Sequence, residues 1–514
     1  MTKVAGGAEE FSLFLRSDGS LWGMGNQQSG QLGNGLHSTT LLLTNLPELI
    51  VSNGVSAISG GWECTLFIKN DGSLWGTGYN GSGELGDGKS DIIYSPIQIV
   101  ASGVTAVSSS QGSEFTLFLK NDGSLWAMGY PEYGALGAGS VLYSYSPIEI
   151  VSNNVTAISA GGEHSLFLKS DGSLWGMGYN FYGELGDGTY NNTNRPELIV
   201  SNNVTAIAAG YDHSLFLKSD GSLWAMGANS ASQLGDGTYK NNTNRPELIV
   251  SNNVAAIAAG ISHSLFIKND GSLWVMGYNN YGQLGLTNNF GFVNSPKQIV
   301  SSNVTAIAAG SYHSLFIKKD GSLWAMGQNY DGQLGDGSYV NKTLPEQIIA
   351  PPTPPNITNQ PSSQTVLIGG SASFSVSVSG SSPFQYQWRF NGTNIFAATN
   401  AAYSMLSVAT TNAGNYSAVV TNSAGSAISS NAVLTVTIPA GYNQISGQFI
   451  SLGSMQFSYV GIAGWKYALD RSVSLSPANW IPQLTNPADA NGNLVFTNKP
   501  ITTTNNFWRI RSVP

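Results

Sequence analysis

Between Val204 and Asn253 the apolar positions fall into four short runs separated by polar turns. Val204-Thr-Ala-Ile-Ala-Ala-Gly210 is built from small residues. His213-Ser-Leu-Phe-Leu-Lys218 alternates apolar and polar side chains, the two-residue period of a half-buried strand, and Ser222-Leu-Trp-Ala-Met-Gly227 forms a third strand. Pro246-Glu-Leu-Ile-Val250 is a fourth, with Pro at its first residue, where no ladder donor is lost. Asp220-Gly221, between the second and third strands, reads as a two-residue hairpin of type I′. A long polar loop from Ala228 to Arg245 joins the third strand to the fourth.

This unit recurs. Asp-Gly-Ser-Leu-Trp begins at Asp18, Asp71, Asp122, Asp171, Asp220, Asp270 and Asp320, in steps of 53, 51, 49, 49, 50 and 50 residues. A period near fifty with four strands per copy is that of a propeller blade. Residues 1–350 are therefore predicted to be all-β, a seven-bladed β-propeller. The small residues of the first strand belong near the axis, where neighbouring blades crowd. Trp22, Trp75, Trp126, Trp175, Trp224, Trp274 and Trp324 are expected to pack between blades, because a residue present in every unit serves the unit.

The pattern Gly-x-x-His-Ser-Leu-x-Leu, then Asp-Gly-x-x-x-x-Met-Gly-x-Asn-x-x-Gly-Gln-Leu-Gly, then Pro-x-x-Ile resembles the regulator of chromosome condensation repeat. Seven copies in register make the resemblance specific over about residues 4–350. It implies a propeller with a protein-binding face and no shared chemistry. Guanine-nucleotide exchange on a small GTPase and inhibition of a β-lactamase both occur on this scaffold.

Comparison of the units separates two ends. In an up-and-down blade the first-to-second and third-to-fourth connections share one end. The opposite end is monotonous, with Asp-Gly-Ser in every unit and Ser-Asn-Asn or a near variant between units. The first end is diverse and aromatic. It carries Trp62, Tyr79, Tyr130, Tyr133, Tyr179, Phe181, Tyr182, Tyr211, Tyr278, Tyr281, Tyr312 and Tyr330, with Glu63, Glu163, Asp212 and Asp331 as directional acids. The fourth and fifth units share the string Asn-Asn-Thr-Asn-Arg-Pro-Glu-Leu-Ile-Val, from Asn191 and Asn241, yet differ at these positions. Drift would favour small polar residues at both ends. Aromatic anchors amid Ser, Gly and Asn are the chemistry of a binding surface. These sixteen residues form the candidate partner-binding site.

Past the repeats, Pro351-Pro-Thr-Pro-Pro355 reads as a stiff linker. Residues 356–437 resemble an immunoglobulin-like sandwich. Trp388 stands at the core position and Tyr416, after Asn412-Ala-Gly-Asn, where a tyrosine corner belongs. Val376 and Ala418 occupy the places of the two cysteines, so apolar packing must replace the bridge. Residues 440–514 form a further small β-rich module, in which Trp465, Trp480 and Trp508 read as packing residues, with sugar binding the lesser alternative. Both modules suit a spacer or anchor.

Composition changes the functional picture in three ways. Only 10% of residues are charged, as suits neutral polar β surfaces. Residues 1–350 hold 15 Lys and Arg against 27 Asp and Glu, net −12, and residues 351–514 hold 6 against 2, net +4. An acidic propeller does not suit nucleic acid, which needs clustered cations, and favours a basic or neutral partner. The single cysteine, Cys64, excludes an internal disulfide. No apolar run of about 18 residues exists to span a membrane. The start, Met-Thr-Lys-Val-Ala-Gly-Gly, lacks a signal-peptide core, and an upstream piece is expected to be missing.

No motif for catalysis emerges. His164, His213, His263 and His313 share one slot with Phe11, Cys64 and Phe115, and Phe does not ligate, so the ladder reads as structural rather than as a metal ring. Asp87, Asp187, Asp236 and Asp336 in Gly-Asp-Gly lack the further acids of a calcium cage. Lys69, Lys120, Lys169, Lys218, Lys268, Lys318 and Arg16 are expected to form a solvated ring beside the Asp-Gly turns. The expectation is a non-enzymatic, cofactor-free and metal-free binding protein, bacterial and extracellular or on the cell surface. Its partner is a protein; a glycan, on a lectin-like face, and a small GTPase, through nucleotide exchange, are the alternatives.

Overall fold

The computed structural model describes residues 1–8, 10–37, 42–141, 143–287, 291–450 and 453–513. Two compact units emerge, Met1–Pro351 and Pro352–Pro514. The first is a ring of seven antiparallel four-stranded sheets, each contiguous in sequence and ordered first strand to fourth. In the fifth blade the strands are Val204–Ala209, His213–Lys218, Leu223–Gly227 and Thr243–Val250.

The cores lie between blades. Leu265, Ile267 and Val275 of the sixth blade pack against Phe316, Met326 and Trp324 of the seventh. The same arrangement closes the ring, with Leu315, Ile317 and Ala325 of the seventh blade against Phe14, Met24 and Trp22 of the first. Fully burying each such phenylalanine contributes about 1.5–3 kcal/mol. No strand is shared between first and last blades; side-chain packing and hydrogen bonds close the ring. The first strands line a central cavity of about 300 Å³, one small residue per blade at the same register: Ala5, Ser59, Ser108, Ser159, Ala208, Ala258 and Ala308.

The repeated pentapeptide is one hydrogen-bonded node. Trp224 Nε1 donates to Ser222 Oγ at 2.9 Å, and Ser222 Oγ donates to Asp220 Oδ1 at 2.6 Å. The hairpin differs from type I′. The Gly221 amide donates to Lys218 O and the Lys218 amide to Ser222 O, and Gly221 has φ +78 while Asp220 is not in the positive-φ region. This is a type I turn ending in a left-handed glycine, which lets Asp220 use its side chain to hold the serine. A Cβ on Gly221 would lie 2.9 Å from the Asn253 amide nitrogen, so this turn packs on the connection to the next blade. The monotonous end is monotonous because it is a joint.

The cations there are not simply solvated. Lys218 Nζ lies 4.3 Å from the centroid of the Trp224 ring, Lys69 Nζ 3.8 Å from Trp75, and Arg16 Cζ 4.2 Å from Trp22. Each such contact is worth about 0.5–1 kcal/mol at a partly exposed site.

In the second unit, Trp388 is fully buried and packs with Phe374, Tyr416, Val376 and Ala418 in one core. The Tyr416 hydroxyl donates to Asn412 O at 2.9 Å, the tyrosine corner. Thr353 is tied to Ser381 and Asn422 at the edge of this sandwich. The small β module pairs two three-stranded sheets. There Asp470 is buried between Arg509 Nε at 3.0 Å and Arg511 Nε at 2.8 Å. Trp508 packs on Phe457, Trp480 lies under Arg509, and Trp465 is exposed.

Candidate functional site

The histidine slot sets the floor of the variable rim. His164, His213 and His263 are buried at the start of the second strand, and each Nε2 lies 2.9, 2.9 and 3.0 Å from Ser214, Ser264 and Ser314 Oγ of the following blade. Those hydroxyls donate onward to Glu184 O, Gln233 O and Gln283 O. With its proton committed, each serine accepts from histidine, which assigns the proton to Nε2. Burial pushes the imidazoles down to about 4, 3 and 3, so they are neutral. Cys64, in the same slot, lies 3.5 Å from Ser109 Oγ, and burial raises its thiol to about 12. Among the described residues no group of three His, Cys, Asp or Glu side chains could hold a metal.

Above this floor stand the sixteen predicted residues, and none is buried. Phe181, Tyr330, Tyr133, Tyr130 and Trp62 are the most exposed, and the others are half-buried. The rings gather in two patches. Tyr133 meets Tyr179 with centroids 4.7 Å apart, and Phe181 meets Tyr182 at 5.2 Å. Across the ring, Tyr281 meets Tyr312 at 5.1 Å, Tyr278 at 6.1 Å and Tyr330 at 6.3 Å. Tyr211 lies flat on two turns. A Cβ on Gly162 would come 2.9 Å from its Cγ, and one on Gly112 2.5 Å from its Cε2. Tyr130 turns outward to Tyr143 instead, and Trp62 and Tyr79 join neither patch.

The acids differ in their duties. Glu63 accepts from Ser29 Oγ at 2.9 Å and Asp331 from Asn26 Nδ2 at 3.2 Å, so both also tie adjacent blades. Glu163 and Asp212 make no ion pair among the described residues. Burial, reinforced for Glu163 by Asp212 and Glu132, raises each to about 6.

Sequence reasoning missed Tyr143 and Tyr145, which cluster with Tyr130, and Tyr239 and Phe292, which extend the second patch from Tyr278. It also missed Glu84 and Glu184. They replace the Gln of Gly-Gln-Leu-Gly at Gln31, Gln283 and Gln333 and of Ser-Gln-Leu-Gly at Gln233, and burial raises both to about 8. The substitution of Glu for Gln within that motif was the available signal.

Comparison with known proteins places this geometry. A family model described as RCC1-like domain matches residues 144–428, and the regulator of chromosome condensation (RCC1) repeat matches 18–68. Protein RCC2 of Mus musculus is 33% identical over 140 residues, 27% of this chain and 27% of its own length. The ultraviolet-B receptor UVR8 of Arabidopsis thaliana is 31% identical over 151 residues, 29% and 33% of the two chains. The chain thus spans about a quarter to a third of these relatives, which are eukaryotic. In fold, human WBSCR16 superposes with a TM-score of 0.58 at 23% identity, over 66% of this chain and 96% of that one. Prp20p of Saccharomyces cerevisiae, whose structure was described with its binding properties to Gsp1p and histones, superposes with a TM-score of 0.59 at 20% identity, over 66% and 88%.

Proposed function

The chain belongs to the RCC1-like domain family, and from that premise we propose that its propeller is a non-enzymatic binding module for a protein partner, which docks on the variable rim. The observation that carries the reading is the fate of the rim aromatics. Tyr and Phe side chains that packing would normally consume instead stay at least partly wet, in two patches contributed by several blades. Aromatic clusters with adaptable polar neighbours are where binding energy concentrates. A propeller rim offers room for a standard interface of roughly 1,600 Å². That Prp20p is described with protein ligands is in keeping with this use of the scaffold. The immunoglobulin-like and terminal β modules serve as spacer or anchor, and the protein works outside the cell or at its surface.

The test is capture of a partner by the full chain, followed by affinity measurement with the Phe181→Ala/Tyr330→Ala double variant. These two rings are the most exposed of the set, so the fold should be untouched. A loss of roughly tenfold or more is expected by the hot-spot rule. Unchanged affinity would sink the reading, and glycan binding without a protein partner would replace it.

A further inference from the structure

We propose that the rim between the fourth and fifth blades is a receptor for one cationic side chain, a lysine or arginine presented by the protein partner, held by Glu163 and Asp212 beneath the Tyr179, Tyr182 and Tyr211 rings. The inference rests on the reading of the rim as a partner surface and adds the chemistry of what docks there.

Three observations carry it. Five consecutive blades place an acid at the entry to the second strand: Glu10, Glu63, Glu114, Glu163 and Asp212. Glu63 and Glu114 accept hydrogen bonds from serines of the preceding blade. Glu163 and Asp212 have no such bond. Among the described residues the ion pairs of the propeller are those of Lys342 with Asp336 and Glu346, so no described cation of the propeller pairs with Glu163 or Asp212. Second, Glu184 is fully buried beside them. Its Oε2 accepts from the Tyr182 amide at 2.9 Å while Oε1 has no partner at all. The same slot in the sixth and seventh blades holds Gln283 and Gln333, whose Nε2 atoms are likewise unpartnered, so the fourth blade sets an ionisable carboxyl where those blades set a neutral amide. Third, the carboxyls are too dispersed for a metal ion. An extended guanidinium or a flexible ammonium suits them, because it can meet several acceptors and an aromatic face together.

The groups facing the pair are Glu132 and Tyr133 from the third blade, and Tyr179, Tyr182 and Glu184 from the fourth. Tyr211 faces it from the fifth blade, with Tyr312 beyond, and neutral His164 and His213 lie below. Glu163, Asp212 and Glu184 are raised in the free protein, chiefly by burial. A docked cation reverses that effect. Glu163 and Asp212, at about 6, are ionised at neutral pH and lose charge as pH falls through 6, so cation affinity falls with it. Glu184, at about 8, is protonated when free and gives up its proton as the cation arrives.

The experiment uses the full chain and two fluorescent peptides, alternating Arg with Gly or Glu with Gly, followed by anisotropy. The Arg peptide binds and the Glu peptide does not. Glu163→Gln/Asp212→Asn weakens Arg-peptide binding by roughly tenfold. Glu197→Gln/Glu247→Gln, which removes equal charge from exposed positions on the outermost strands, changes it by less than about twofold. Calorimetry in buffers of different ionisation enthalpy shows proton release near neutral pH that Glu184→Gln removes. Equal losses in the two double variants would reduce the effect to bulk charge and overturn the proposal, as would absence of Arg-peptide binding. A captured partner that responds to Phe181→Ala/Tyr330→Ala but not to Glu163→Gln/Asp212→Asn would overturn it while leaving the partner surface intact.

Discussion

His313 Nε2 lies 2.8 Å from Ser12 Oγ, joining residues 301 positions apart in the chain. This is the same bond that links each histidine to the next blade's serine, so first and last blades meet as interior neighbours do. Gln111 adds a bond of another kind. Its Nε2 donates to Gly6 O at 2.9 Å and to Ala309 O at 3.0 Å, from the third blade across the central cavity to the first and seventh.

Ser12→Ala should leave His313 Nε2 buried without its hydrogen-bond partner. The expected loss is about 1–3 kcal/mol in urea denaturation. Ser214→Ala, at an interior interface, should cost a similar amount. A closure variant with no effect beside a costly interior one would show that the seam lies elsewhere.

Glu84 and Glu184 predict a pH dependence. Each has a folded value near 8, above the unfolded carboxylate range, so the folded state holds the extra protons. Their contribution is full below the unfolded value and is lost as pH rises through 8. Glu84→Gln/Glu184→Gln supplies what four other blades already carry. Thermal melts from about pH 6 to 9 should fall for the parent, by at most ~1.4 kcal/mol per pH unit for each group. They should stay flat for the double variant.

The histidines act in the opposite sense. Burial holds His164, His213, His263 and His313 near 3 to 4, below the unfolded value of 6.5. The unfolded chain takes up their protons first as pH drops, so their contribution falls from about pH 6.5 towards 4. Replacing His213 by Phe, the residue that two blades use in this slot, should weaken that acid sensitivity in urea melts at low pH.

At the joint between blades, Gly221→Ala should be costly because both its φ and its approach to Asn253 exclude a Cβ. A loss above about 1 kcal/mol is expected. Lys218→Met removes only a cation over the Trp224 face, and a loss within about 1 kcal/mol is expected. Equal effects in denaturant melts would mean that the joint is looser than its geometry.

The blades were legible because Asp-Gly-Ser-Leu-Trp marks one node per sheet and its spacing gives the blade length. The strand assignments followed from alternation, except that the fourth strand begins at Thr243 and takes Pro246 into its interior at a bulge, where no ladder donor is needed; the rim aromatics followed from unit-to-unit differences. Three things were not legible. The turn at Asp220 was read from the dipeptide alone, but Asp220 prefers to use its side chain as an acceptor, so a longer turn forms. The Lys218 side chain was read as solvated because sequence does not show that the third strand sets Trp224 beneath it. The acids at Glu84 and Glu184 were hidden because Glu and Gln look alike in a pattern, while burial makes them electrically different.

The reach of Gln111 has a mechanical consequence. Seven wedges held only side by side would let the circle ovalise under lateral load, each seam hinging slightly. One amide stretched across the hub works as a spoke. It resists flattening along its own line and leaves the perpendicular direction softer, so the wheel should yield along a preferred axis.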